Sequence, residues 1–144
     1  MPEIRQAYID TGKVRYVFKD YPLPYHANAQ KAAEAARCAG AQGAYWEMHD
    51  QIFQSQAQWS GEDQQQVLDT FVGYAKSLDL DPETFRGCLE SGQFAAQIRE
   101  DLQEGQQAGV GGTPSFLING QLVVGALPFE SFRQVIEAEL SKNE

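Results

Sequence analysis

The side chains able to do chemistry in this sequence are few. Its only thiols, Cys38 and Cys88, lie fifty positions apart, and neither has a second cysteine within four residues. Dithiol exchange needs a thiolate whose pKa is lowered, as in a CxxC motif at a helix N-terminus. No such motif is present, so no catalytic residue is assigned. Three readings of the cysteine pair stay open: two buried small hydrophobes, a structural bridge, or a redox pair assembled by the fold. His26 and His49 are the only histidines, and with the two cysteines they make no zinc-ligand spacing. No metal and no cofactor is expected. His49-Asp50 has the residue types of a catalytic dyad, but no serine nucleophile motif or third ligand accompanies it. A helix-surface or capping role is the expectation, and His26 reads the same way. The carboxylates are scattered, with no isolated pair suited to acid–base work. Glycines 109, 111 and 112 suggest a phosphate loop only superficially, since no Lys-Ser/Thr follows and no helix opens behind them. There remains Thr113-Pro114, where a glycine pair lets the backbone approach another chain and the peptide bond can turn cis. Only about 5–6% of X–Pro bonds do so.

The framework that must position these residues is small. At 144 residues the chain is read as one domain, residues 1–144; 42% apolar and 11% aromatic content provide for a packed core. Eleven basic against twenty acidic residues give a formal charge of −9 with no Lys/Arg cluster. Such a surface repels phosphate backbones and anionic lipid, so nucleic acid is excluded as a partner. No apolar run reaches the roughly 18–20 residues of a membrane span. The opening residues MPEIRQAYID are charged and helix-like, and are read as helix rather than as a secretory signal.

Along the chain, Pro2 opens a short helix that Gly12 stops, and residues 14–18 (VRYVF) are β-branched and aromatic, which predicts a strand. Residues 28–108 read as helical almost throughout. Asn28 is placed as the cap of an alanine-rich helix ending near Gly40, and a helix over 45–54 carries Trp46, Ile52 and Phe53. Ser60 with Asp63 resembles a capping box, and Asp81-Pro82-Glu83 combines a cap, an N1 proline and a first-turn acid. Phe85, Cys88 and Leu89 face inward on the helix that follows, and a further helix covers about 94–108. Trp46, Phe53, Trp59 and Phe71 are assigned to the core rather than to a peptide groove. Residues 115–124 then switch to period two around Asn119-Gly120, the signature of a type I′ hairpin. Pro128 opens a last helix with the stripe Phe129, Phe132, Val135, Ile136 and Leu140.

The run GGTPSFLING at 111–120 resembles the cis-proline loop and hairpin of the thioredoxin superfamily. The likeness widens to DsbA-like thiol–disulfide oxidoreductases through residues 14–23 (VRYVFKDYPL), 32–53 (AAEAARCAGAQGAYWEMHDQIF), 85–92 (FRGCLESG) and 125–132 (GALPFESF). It implies an α/β fold, a thioredoxin-like core with a helical insertion at about 28–108, acting on protein or peptide thiol–disulfide substrates. Thr113 and Pro114 would contact the substrate peptide. Cys38 and Cys88 would form a second, structural disulfide, and the parent would be periplasmic or otherwise extracytoplasmic.

The family begins with a strand and a CxxC before the helix matched by residues 2–9, and the sequence has neither. A central strand would then be lacking between the 14–18 strand and the Phe116 strand. The expectation is a sheet that re-closes directly or borrows a strand from a second copy, making a homodimer that completes the sheet. Three functional readings follow: a truncated oxidoreductase, inactive without its dithiol; a non-catalytic peptide-binding or chaperone-like module; or a glutathione-dependent transferase or isomerase of the same superfamily.

Overall fold

A computed structural model describes residues 1–143. In chain order it contains helix α1 (Pro2–Ile4) running on as a π-turn, Arg5–Ile9, then α2 (Ala29–Gly40), α3 (Tyr45–Gln54), α4 (Gln56–Trp59), α5 (Gln64–Ser77) and α6 (Pro82–Ser91). These are followed by α7 (Ala95–Gln107), strands β1 (Ser115–Ile118) and β2 (Gln121–Val124), and α8 (Phe129–Leu140). The chain divides into two compact units, Asp20–Gln103 and the remainder, which joins Met1–Lys19 to the residues from Glu104 onward.

Alanine organises the unit Asp20–Gln103. Ala32, Ala35, Ala36 and Ala39 recur at helical spacing on α2 and are all buried, so α3, α5 and α6 pack close to its backbone. Met48, Val67, Phe71, Phe85 and Leu89 fill the space between them and are fully buried. The helix ends are largely satisfied from within. Asp63 Oδ1 accepts from the N–H groups of Gln65 and Gln66, and Gln66 Oε1 accepts from the N–H of Asp63. The capping box therefore belongs to Asp63 and Gln66, not to Ser60 and Asp63. Ser60 has helical φ/ψ at the end of α4, whereas Asp63 is extended, as an N-cap must be. Asp81 caps α6 through Thr84 N–H, with Pro82 at the first helical position. Asn28 stands at the N-cap position of α2, but its side chain does something else. Its Nδ2 donates to the carbonyls of Trp59 and Glu62, pinning the start of α2 to the α4–α5 connection.

The second unit is thinner. Its buried apolar residues are Ile4, Tyr8, Val123, Phe132 and Ile136. β1 and β2 pair antiparallel with Phe116 opposite Val123 and Ile118 opposite Gln121. Asn119 and Gly120 both take positive φ (48° and 87°), the type I′ geometry that the sequence announces. Phe116 meets Phe132 of α8 edge to face at 4.8 Å, and the Tyr8 hydroxyl donates to Glu137 Oε1 at 2.7 Å.

The strand expected at 14–18 does not form. Among the described residues the sheet has two strands, β1 and β2, so direct re-closure of 14–18 onto the Phe116 strand does not occur either. The reason is physical. β-branched and aromatic composition favours a strand only where a neighbouring strand takes up the backbone groups.

Candidate functional site

Thr113 and Pro114 head the β-hairpin. The loop that carries them leaves α7 through Gly109, whose φ of 85° needs glycine, and the Thr113–Pro114 peptide bond is cis. Two hydrogen bonds fix the loop: Ser115 Oγ donates to Gly112 O at 2.7 Å, and Gly125 N–H donates to Pro114 O at 2.8 Å. The Pro114 carbonyl is thus tied to the far end of β2, while both Thr113 and Pro114 remain exposed. Beside Pro114 opens a hollow of about 210 Å³ whose walls include Ile4, Phe116, Leu127, Phe129 and Phe132, with Glu3 as the charged residue in its lining. Chemically this is a place for an apolar side chain next to a backbone fixed by those two hydrogen bonds. It holds no nucleophile.

Cys38 and Cys88 are bonded to each other, Sγ to Sγ at 2.02 Å, joining α2 to α6. Cys38 is 1% and Cys88 9% exposed, inside the helical core. Lys31 adds a second α2–α6 link by donating to Leu89 O at 2.8 Å. The bridge lies in the unit Asp20–Gln103, whereas Thr113 and Pro114 lie in the other unit.

His49 Nδ1 sits 2.9 Å from Asp50 Oδ1, and its ring packs against Trp46 and Phe53 at centroid distances of 5.2 and 4.8 Å. Placing all four large aromatics in the core was wrong for two of them. Trp59 and Phe71 are buried in contact with each other, but Trp46 is 39% and Phe53 57% exposed. Met48 and Ile52, four residues apart, form the inward face of α3; Trp46 and Phe53 fall on a different face with His49.

One polar cluster escaped the reading of the sequence. Arg37 on α2 donates from Nε to Asp20 and from Nη2 to Asp101, and both carboxylates are buried. Burial pushes the Asp20 carboxyl above the usual aspartate range, against the pull of the Arg37 hydrogen bond and charge. The available signal was weak, an arginine on an otherwise alanine-lined helix. Its partners are 17 and 64 positions away.

Compared with known proteins, the sequence matches the family described as Thioredoxin over residues 1–138. The chain belongs to the thioredoxin family. It is 38% identical over 136 residues to a Na(+)/H(+) antiporter NhaA 1 of Salinispora arenicola, covering 94% of this chain but 20% of that protein. It is 31% identical over 144 residues to a probable disulfide bond formation protein D of Bacillus anthracis, covering 99% of this chain and 65% of that one. The crystal structure of oxidised BdbD from Bacillus subtilis superposes with a TM-score of 0.84 at 25% identity, covering 97% of this chain and 76% of that chain. The chain therefore spans about a fifth of the antiporter relatives and just under two thirds of the disulfide bond formation protein. The α/β architecture, a small sheet with many helices, is the thioredoxin-like fold that the sequence implied.

Proposed function

We propose that this chain is the peptide-binding scaffold of a DsbA-like thiol–disulfide oxidoreductase acting on protein substrates. The observation that carries the proposal is the apolar hollow against exposed Pro114, in a thioredoxin-family chain related to disulfide bond formation proteins. An extended peptide would lie along Thr113 and Pro114 and set one apolar side chain in the hollow. Because the Cys38–Cys88 disulfide is buried out of reach of an incoming thiolate, the chain binds without exchanging disulfides. The buried Cys38–Cys88 bond then has a structural role, and a bridge of that kind points to an oxidising, extracytoplasmic compartment. Antiporter activity is not proposed: the match covers a fifth of those proteins, and no helix among the described residues is long and apolar enough to cross a membrane.

The test is peptide binding followed by NMR, with an unfolded thiol-blocked protein segment as probe. Shifts centred on Gly111, Thr113 and Phe116 are expected, with Leu127→Asp weakening binding at least tenfold. Binding that ignores Leu127→Asp refutes the site. Insulin reduction by the chain alone should stay at background. The Cys38/Cys88 pair should have a reduction potential below about −300 mV; a value near −120 to −230 mV would make it a redox centre. The transferase reading would be favoured by retention on immobilised glutathione.

A further inference from the structure

The chain has three asparagines, Asn28, Asn119 and Asn143, and of these Asn119 alone precedes a glycine. Asparagine is thermolabile because its side-chain carbonyl carbon lies within reach of the next backbone nitrogen, where a five-membered ring can close. Closure needs room at that nitrogen, a side-chain amide that is not pinned, and backbone free to turn between them. Asn28 lacks the second. It is 4% exposed, and its Nδ2 donates to the carbonyls of Trp59 and Glu62 at 3.0 and 2.9 Å.

Asn119 is placed differently. With Gly120 it forms the tip of the β1–β2 hairpin, and both residues are exposed. Nothing lies within 4 Å of the position a Cβ on Gly120 would take, so that side of the residue is open. The Gly120 N–H donates to no acceptor among the described residues, because the ladder closes through Ile118 and Gln121 instead. The Asn119 amide makes one long, exposed bond, Nδ2 to Glu139 Oε2 at 3.3 Å. The backbone is the remaining restraint. Asn119 sits at φ 48°, and closure requires its ψ to swing out of that left-handed well. A two-stranded hairpin is marginal by itself, so its tip opens often enough for a slow reaction.

We propose that Asn119 is a self-modification site whose product releases the hairpin tip from α8. The Gly120 nitrogen gives up its proton and attacks Asn119 Cγ. The N–Cγ bond forms, the Cγ–Nδ2 bond breaks, and the amide nitrogen leaves as ammonia with the proton that Gly120 lost. One water then opens the succinimide at either carbonyl, giving aspartate or isoaspartate; nothing is oxidised or reduced. Glu139 gives the product its effect. Hydrogen bonds from Lys142 and Asn119 hold its carboxyl below the usual glutamate range, so it is charged when the new acid forms. A donor facing Glu139 Oε2 is thus replaced by a second negative charge. Isoaspartate also adds a methylene to the turn backbone, which disturbs the pairing of Ile118 with Gln121.

The test ages the whole chain for weeks at physiological temperature and mildly alkaline pH. Peptide mass mapping reads acid formation, and enzymatic methylation reads isoaspartate. Conversion at Asn119 should exceed that at Asn28 at least tenfold and rise in proportion to hydroxide concentration. Asn119→Gly, which keeps a residue suited to positive φ, should abolish ammonia release from this position. In aged protein and in Asn119→Asp, the Ile118 and Gln121 amides should exchange at least threefold faster, with those around Phe71 in α5 within twofold of the parent. Asn119→Asp/Glu139→Gln should restore the parent rates, because a donor again faces an acceptor across the contact. Equal conversion at Asn28 and Asn119 overturns the site. Conversion that leaves hairpin exchange unchanged, or faster exchange that Glu139→Gln does not reverse, overturns the release.

Discussion

The helical unit and the hairpin unit are built from the same chain under opposite rules. In Asp20–Gln103 every helix satisfies its interior backbone by itself, and Asp63, Asp81 and Gly92 finish helix ends locally. Its core can therefore be extensive, with Met48, Phe71, Phe85 and Leu89 fully buried and a covalent bridge between α2 and α6. The other unit relies on a sheet, and a sheet satisfies backbone groups only across strands. With two strands paired, its buried set is five residues. Local hydrogen bonding gives a robust unit from a contiguous stretch; pairing at a distance makes the second unit depend on which strands are present.

Core truncation should expose this contrast most strongly. Phe71→Ala is expected to cost about 3–5 kcal/mol in urea unfolding followed by Trp59 fluorescence. Phe132→Ala, followed by hydrogen exchange of the β1 and β2 amides, should cost less, because the small cluster around it leaves fewer contacts to lose; equal losses would erase the distinction. Cys38→Ser/Cys88→Ser comes next, at about 2–4 kcal/mol. Hydrogen exchange should show that loss in α2 and α6 while the protection of the β-hairpin stays as it was. Asp63→Ala should remove about 1 kcal/mol by taking the cap from α5, with Asp63→Asn close to neutral. In the hairpin unit, Tyr8→Phe, which deletes the bond to Glu137, should cost about 0.5–1 kcal/mol and leave Trp59 unfolding unmoved.

The smallest effect is in pH dependence. Because the folded state raises the Asp20 pKa, it binds that proton more tightly than the unfolded chain does. The associated stability is present below the ordinary aspartate value and is lost as pH rises through the raised one. Asp20→Asn should flatten this slope in chemical denaturation between the two values. A slope that survives the substitution assigns it to other carboxylates.

What the sequence made readable follows the range of the interactions. The helix Tyr45–Gln54 and the hairpin Ser115–Ile118/Gln121–Val124 were legible to the residue because period, caps and the Asn119-Gly120 turn are local signals. Residues 14–18 misled because strand composition says nothing about whether a partner strand is there. The Thr113-Pro114 loop was found through resemblance, and its hollow needed side chains as distant as Ile4 and Phe132. The Arg37 cluster was invisible, since nothing local marks which two of twenty acids will share one guanidinium.

The Cys38–Cys88 bond also decides how this protein would behave under tension. If the chain were pulled from its two ends, the fifty-position loop between the cysteines could not pay out, whatever happened to the helices within it. At roughly 3.3–3.6 Å per extended residue, about 170 Å of contour length would stay hidden, to be released only by a reductant. In a single-molecule stretching trace, the oxidised and reduced chains would differ by that one step.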